Sequence, residues 1–323
     1  MNNGKERKIT VWGYKYDNGE IALLYHDTGI WRGKKINTVH VEYYQTTQAA
    51  VARICELEAK IPSEDMLMSR LRQRGKSEMC CLFGICDYRG SLTAAQKRRL
   101  ISALATASEA RGTDATGIAY NCDGHLAVYK RPWPAHLMRF RLPENTRCVM
   151  GHTRMTTQGD EKKNCNNHPF VGTAAIPFAL AHNGVLYNDK ELRQERKLPD
   201  TNIETDSYVA VQLLEQQGKL NFSTIRTAAE ALEGTLTLTI LDGRDNLYII
   251  KGNNPLALYH FPRLGLYVYA STEAILKKGL KKGLPRAERP VEVVTKEGDI
   301  LRIDRHGRYT VEQFDTCLLY TSP

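Results

Sequence analysis

Five short stretches of the 323-residue sequence carry residue types able to do chemistry. The first, SEMCCLFGICDYRG over residues 77–90, sets Met79 before two adjacent thiols, Cys80 and Cys81, and an apolar run. A thiol becomes a strong nucleophile once it loses its proton. The others are RGTDATG (111–117), GHTRMTTQG (151–159), NNHPF through LAHNGVLYN (166–188) and ETDSYVA (204–210). They add guanidinium, imidazole, carboxamide and carboxylate groups, the types that grip a substrate and stabilise developing charge. Taken singly, each has a plain structural reading. RGTDATG fits a helix C-cap and turn, HNGV a type I′ hairpin, and ETDSY a helix start capped through Thr205 or Asp206.

Positioning such groups takes a scaffold, and the length allows two domains or one large domain with an appendage. Residues 8–30 alternate around DNG as a β-hairpin, and 46–60 read as a helix, followed by a basic linker to Met79. From Cys80 the pattern changes. CLFGIC is a strand, and 93–110 form an amphipathic helix capped by Thr93, with Leu100, Ile101, Leu104 and Ala105 on one face. GIAYNC and HLAVYK make a hairpin. Strands are expected at 147–153, 176–182, 235–241, 246–250, 256–260, 265–270 and 291–296, and helices at 205–217, 223–233 and 271–282. Antiparallel strands in two groups with helices between them indicate a layered α+β fold rather than a doubly wound sheet.

Bulk properties narrow the class. No apolar run approaches the roughly 18 residues of a membrane span, and the polar N-terminus is not a secretory signal. Eight cysteines without a signal peptide read as reduced cytoplasmic thiols, and no C-x-x-C pair supports a zinc site. The net charge of +9 comes from scattered basic residues with one cluster at Lys277, Lys278, Lys281 and Lys282. A solvated helix face explains that cluster, so nucleic acid is not the expected partner.

Together and in this order, the motifs behind MCCLFG resemble the glutaminase domain of the class II glutamine amidotransferases, which are N-terminal nucleophile hydrolases. Met79, Cys80, Leu82, Phe83 and Gly84 match the family's start motif, with Cys81 at its glycine position. GHTRMTTQG, NNHPF and HNGVLYN look most like the branch of glucosamine-6-phosphate synthase. The resemblance implies a four-layer αββα sandwich over 80–310; the residues before it read as a ββα unit with a basic linker over 1–79, and 311–323, whose end continues no pattern, as a partly non-native tail. The resemblance also implies glutamine as substrate, with its side-chain amide hydrolysed through a cysteinyl thioester and ammonia passed to a synthase domain or subunit, without metal or other cofactor.

By the same resemblance, Cys80 is the nucleophile and its α-amine the base. Asn183 and Gly184 donate to the oxyanion, and Arg154 takes the glutamine α-carboxylate. Asp206 takes the α-ammonium, Thr157 helps position the substrate, His168 shapes the pocket, and Arg111 orients the nucleophile loop. His152 and Asp114 are expected to be structural. The chemistry is coherent, because an α-amine has a pKa of about 7.7–8.0 against about 10.4 for lysine, so far more of it is free base at neutral pH. Once acylated, that nitrogen has no useful basicity.

The chain also departs from the family pattern. Cys81 stands where the family has glycine, Met155 where an aromatic residue is common, and Gln158 in place of a histidine. Residues 1–79 read as a propeptide removed autocatalytically, as an upstream reading frame ahead of initiation at Met79, or as a fusion that buries Cys80. Two other functions stay open: an amide hydrolase of the same fold with another substrate, and a non-catalytic binding or regulatory module with an unprocessed cysteine.

Overall fold

The computed structural model describes residues 11–15, 21–31, 34–44 and 80–320. The chain divides into two compact units, Met1–Glu78 and Met79–Pro323. In the first unit β1 (Val11–Lys15), β2 (Ile21–Trp31) and β3 (Lys34–Tyr44) form an antiparallel sheet in sequence order. The hairpin expected at 8–30 is therefore joined by a third strand, whose register runs from Ile21↔Tyr44 to Trp31↔Lys34. The helix expected at 46–60 and the basic linker lie outside the described residues.

In the second unit the apolar runs build two antiparallel sheets. The seven-stranded sheet contains β4 (Cys81–Asp87), β5 (Ala115–Cys122), β6 (His125–Arg131) and β7 (Cys148–Arg154). The six-stranded sheet begins with β8 (Phe170–Ala174) and β9 (Ile176–His182). A two-residue strand β10 (Val185–Leu186) pairs with β11 (Gly234–Thr235), and β12 (Thr237–Asp242) and β13 (Leu247–Lys251) return to the six-stranded sheet. Next, β14 (Ala257–Phe261), β15 (Leu266–Ala270) and β16 (Val291–Glu292) complete the larger sheet in the order β16-β14-β15-β4-β7-β5-β6. Finally β17 (Asp299–Ile303) and β18 (Tyr309–Gln313) complete the smaller one in the order β18-β17-β13-β12-β9-β8.

Side-chain alternation sorts the core into three layers. In β4, Leu82 and Cys86 face the other sheet, where they meet Ala179, Ala181, Leu241, Ile249 and Leu301. Cys81, Phe83 and Ile85 point the opposite way, onto α1 (Ala94–Ser108) and α5 (Glu273–Gly283). The outer face of the smaller sheet, with Phe178, Leu180 and Ile240, is covered by α3 (Tyr208–Gln217) and α4 (Phe222–Glu230); a short α2 (Asp189–Glu195) lies between β10 and α3 in the chain. Because both faces of each sheet are covered, all of β4 is buried, and its sequence reads as an unbroken apolar run rather than an alternating one. The arrangement is the expected α+β sandwich, with helices outside two facing sheets.

Local signals hold these elements in place. Thr93 and Gln96 form a reciprocal capping box at the start of α1. On α5, a Cβ added at Gly279 or Gly283 would come within 2.6 Å of Leu104 Cδ2 or 2.7 Å of Leu100 Cα, so those glycines let the two helices approach closely. Among the described residues, no helix is long and apolar enough to cross a membrane. β18 continues through the boundary expected at 310 to Gln313, and Leu319 beyond it is buried against the core of the smaller sheet.

Candidate active site

The chemistry-bearing residues converge where strand ends of both sheets meet. Cys80 immediately precedes β4, and the register Cys81↔Thr153 places Arg154, the last residue of β7, at the same sheet edge. From the facing sheet, β9 delivers His182 and then Asn183. Alternation separates the adjacent thiols. Cys81 faces the helices with no exposed surface, whereas Cys80 points to the side shared by the sheets. The glycine expected at position 81 is thus replaced by a small apolar side chain directed away from the site.

Cys80 is buried, and its Sγ donates weakly to the Met155 carbonyl at 3.5 Å. Burial pushes the thiol pKa up to about 11, against the lowering effects of the Met155 contact, Arg154 and Arg111. Arg111 Nε donates to the Cys80 carbonyl at 3.2 Å, which places its guanidinium beside the Cys80 backbone. Asp114 clamps the next turn: its N–H donates to the Arg154 carbonyl at 3.0 Å, and its carboxylate accepts from Thr156 N–H at 2.7 Å. Gly112 allows this contact, because a Cβ there would lie 2.5 Å from the Arg154 carbonyl carbon.

Arg154 is only 2% exposed, yet its guanidinium meets neutral acceptors only. Nη1 donates to Asn167 Oδ1 at 2.7 Å, and Nη2 donates to the carbonyls of Gln158 and, at 3.4 Å, Gly159. Asp206 is 3% exposed; Oδ2 accepts from Leu186 N–H at 2.6 Å, and Oδ1 lies 3.3 Å from the Ser207 hydroxyl oxygen. The carboxylate therefore does not cap α3, contrary to the plain reading of ETDSY. The helix N-cap is Ser207, and it has no side-chain cap bond. Neither Arg154 nor Asp206 forms a salt bridge among the described residues. A buried charge is costly unless paired, so the site holds one unpaired positive and one unpaired negative group.

HNGV is likewise not a tight hairpin. β9 ends at His182, and Val185 pairs with Thr235 of β11 instead. Gly184 has φ +151°, and a Cβ there would come 1.9 Å from the Thr235 carbonyl oxygen. Its neighbour Asn183 is fixed by main-chain bonds in both directions with Thr237, at 2.9 and 3.0 Å. The Asn183 side chain is less committed. Nδ2 makes a long 3.5 Å contact with Ser271 Oγ, and Oδ1 is buried without a partner. Ser271 was not anticipated from sequence. Its Oγ accepts from Leu82 N–H at 2.8 Å and its N–H donates to the Leu82 carbonyl at 2.9 Å, which ties the start of β4 to the end of β15.

Three buried histidines lie beneath these groups. His152 Nε2 bonds the His182 carbonyl at 3.0 Å, linking β7 to β9 across the two sheets. His182 Nε2 donates to the Thr235 carbonyl at 3.0 Å, which leaves Nδ1 to accept from Ser207 at 2.8 Å. His168 packs between the rings of His152 and Phe170, with centroids at 4.2 and 4.4 Å, and neither of its nitrogens has a partner. Burial depresses all three, His152 to about 3. Thr157 is exposed on the turn after β7. Among the described residues, no group of three or more His, Cys, Asp or Glu is placed to hold a metal ion.

Comparison with known proteins gives this geometry a context. Residues 152–278 match the family model described as a glutamine amidotransferase domain. A glutamine–fructose-6-phosphate aminotransferase (isomerizing) of Bacillus cereus is 36% identical over 157 residues, covering 46% of this chain and 26% of that protein. The protein of that name from Halalkalibacterium halodurans is 28% identical over 220 residues, covering 66% of this chain and 36% of its own length. Among solved structures, the glutamine phosphoribosylpyrophosphate amidotransferase of B. subtilis, complexed with ADP and GMP, superposes with a TM-score of 0.58 at 20% identity. That match covers 74% of this chain and 50% of the other, and it establishes the fold. The chain thus spans about a quarter to a third of the length of the sequence relatives it matches.

Proposed function

We propose, from the premise that the chain carries a glutamine amidotransferase domain of the class II, N-terminal nucleophile type, that it hydrolyses the side-chain amide of glutamine through a thioester on Cys80. The observation that carries this reading is the pair of buried, mutually unbridged charges Arg154 and Asp206 in one site with a thiol. An α-amino acid brings one carboxylate and one ammonium, which complement the two. A guanidinium fork suits the carboxylate better than a lysine would.

In the proposed reaction the Cys80 sulfur attacks the amide carbon of glutamine while the thiol proton passes to the α-amine of Cys80. The oxyanion that forms is held by the Asn183 Nδ2–H and the Gly184 N–H. The C–N bond then breaks, and the α-ammonium returns its proton to the departing nitrogen, which leaves as ammonia. Water attacks the resulting thioester, releasing glutamate and restoring the thiol. Ammonia passes to an acceptor domain or subunit. All of this requires the Met79–Cys80 bond to be absent, either through removal of residues 1–79 or through initiation at Met79 followed by its removal.

The test is glutamate release from glutamine by the full chain and by a version beginning at Met79, with Cys80→Ala as control and intact mass to identify the N-terminus. Activity that depends on Cys80 supports the reading. Folded protein with Cys80 as its first residue and no turnover would favour the binding-module alternative.

A further inference from the structure

The segment 164–170 holds the guanidinium proposed to receive the substrate, and what holds that segment lies outside the motifs. It crosses the ends of β5 and β6 at close range. A Cβ at Gly117 would lie 2.1 Å from the His168 carbonyl oxygen, so only glycine permits the crossing. Asn164 Nδ2 donates to the Lys130 carbonyl at 3.0 Å, which anchors one end of the segment to β6. The Lys130 ammonium anchors the other. Nζ donates to the carbonyls of Asn167 and, at 3.1 Å, Pro169, and it lies 5.2 Å from the centre of the Phe170 ring. Asn167, held through its backbone by Lys130, is the residue whose Oδ1 takes Arg154 Nη1 at 2.7 Å. Its Nδ2 donates to the Glu161 carbonyl at 2.7 Å, which fixes the amide so that oxygen faces the guanidinium.

We propose that Lys130 is a positioning residue for substrate binding: its ammonium clamps the 167–170 backbone, and through Asn167 it sets the orientation of Arg154. Two carbonyls and a ring face form a cage that suits a compact cation with several donors. The inference rests on the glutamine reading, since it takes Arg154 as the carboxylate receptor.

Charge makes the clamp adjustable. Burial lowers the Lys130 pKa to about 8, with Cys165 favouring the charged form and Arg154 opposing it; His168, kept neutral by burial, also faces it. The clamp is charged below about pH 8 and neutral above it, so Arg154 is held less firmly as pH rises through that value.

The experiment measures glutamine binding by calorimetry in the full chain carrying Cys80→Ala, so that neither turnover nor the α-amine of Cys80 enters. Lys130→Met is compared with its parent from pH 6.5 to 9.5. The ligand's own ionisation is common to both and cancels in the ratio of their dissociation constants. The expected ratio is about tenfold at pH 7, the cost of two carbonyls losing a charged donor. It should fall by threefold or more at pH 9.5, where the parent's lysine is also neutral. A purely structural lysine would give a ratio that does not change with pH. A flat ratio, or one below twofold at pH 7, overturns the proposal; if the methionine variant does not fold, Lys130→Gln is held to the same outcomes. A parent that does not bind glutamine at all overturns this inference; the glutamine reading falls with it only if the version beginning at Met79, with Cys80 as its first residue, also releases no glutamate.

Discussion

His152 should make the second unit lose stability on mild acidification, and by an amount that can be worked out. Its ring is buried at the seam of the two sheets, and its pKa is lowered by that burial from 6.5 to about 3. In the unfolded chain it titrates near 6.5. Between about pH 6.5 and 3 the unfolded state therefore binds a proton that the folded state refuses. Stability is fully retained above pH 6.5 and falls as pH drops through that window. From pH 7 to pH 5 the linkage amounts to about 2 kcal/mol from this one residue. His168 and His182 are shifted in the same direction by burial and act in the same sense. The informative variant is His152→Gln, because a Gln amide can still donate to the His182 carbonyl but takes up no proton. Urea unfolding of parent and variant, followed by circular dichroism at pH 7 and pH 5, isolates the term as a double difference. The expectation is that the parent loses about 2 kcal/mol more than the variant over that interval. If the two lose the same within about 0.5 kcal/mol, the ring is not held neutral by burial and the reasoning fails.

Three further substitutions probe the site. Cys81→Ala should leave glutamate release within about twofold of the parent, since that thiol faces the helices, whereas Cys80→Ala should abolish it; equal losses would mean the two thiols are not separated by strand alternation. Asn183→Ala should lower kcat by about 10²–10³-fold with KM little changed, as removal of an oxyanion donor does, and a change in KM alone would argue against that role. Arg154→Lys should instead raise KM for glutamine, because an ammonium cannot reproduce the two-pronged contact, so unchanged KM would move the carboxylate site elsewhere.

Which parts of this structure were legible in sequence follows from how local the signals are. α1 was found through Thr93 and its apolar stripe, and the structure shows a complete capping box there. The starts of α3, α4 and α5 were placed within a few residues, whereas α2 was not among the expected helices. β3, β8, β10, β17 and β18 were not among the expected strands. β8, with the sequence FVGTA, is short and carries a glycine, which weakens any strand signal. At the site, Cys80, Arg154, Asn183 and Asp206 were legible as an ordered set, and the fold brings them to one end of the sandwich. Their hydrogen-bonding roles were not. ETDSY has the form of a helix cap and HNGV that of a hairpin, because local sequence cannot show that Leu186 N–H arrives to claim Asp206, or that β10 pairs with β11. Ser271 and Lys130 escaped for a related reason. Each acts by binding main-chain groups far away in sequence, and such a role leaves no motif.

In the proposed reaction, the state of the buried groups favours the α-amine of Cys80 as the base. A thiol pushed up to about 11 is ionised in roughly one molecule in 10⁴ at pH 7. Arg154 is one of the charges that lower it, and a bound substrate carboxylate would neutralise that help. Attack must then coincide with transfer of the proton to a base. The histidines are poor candidates. His182 already uses both ring nitrogens, and burial depresses all three, so none competes well for a proton. What remains is the nitrogen of Cys80 itself, basic only when no residue precedes it. Turnover per mole should therefore scale with the fraction of molecules whose first residue is Cys80, measured by intact mass on the same samples. Glutamate release by molecules that retain Met79 would refute the α-amine as base, and with it the link between processing and catalysis.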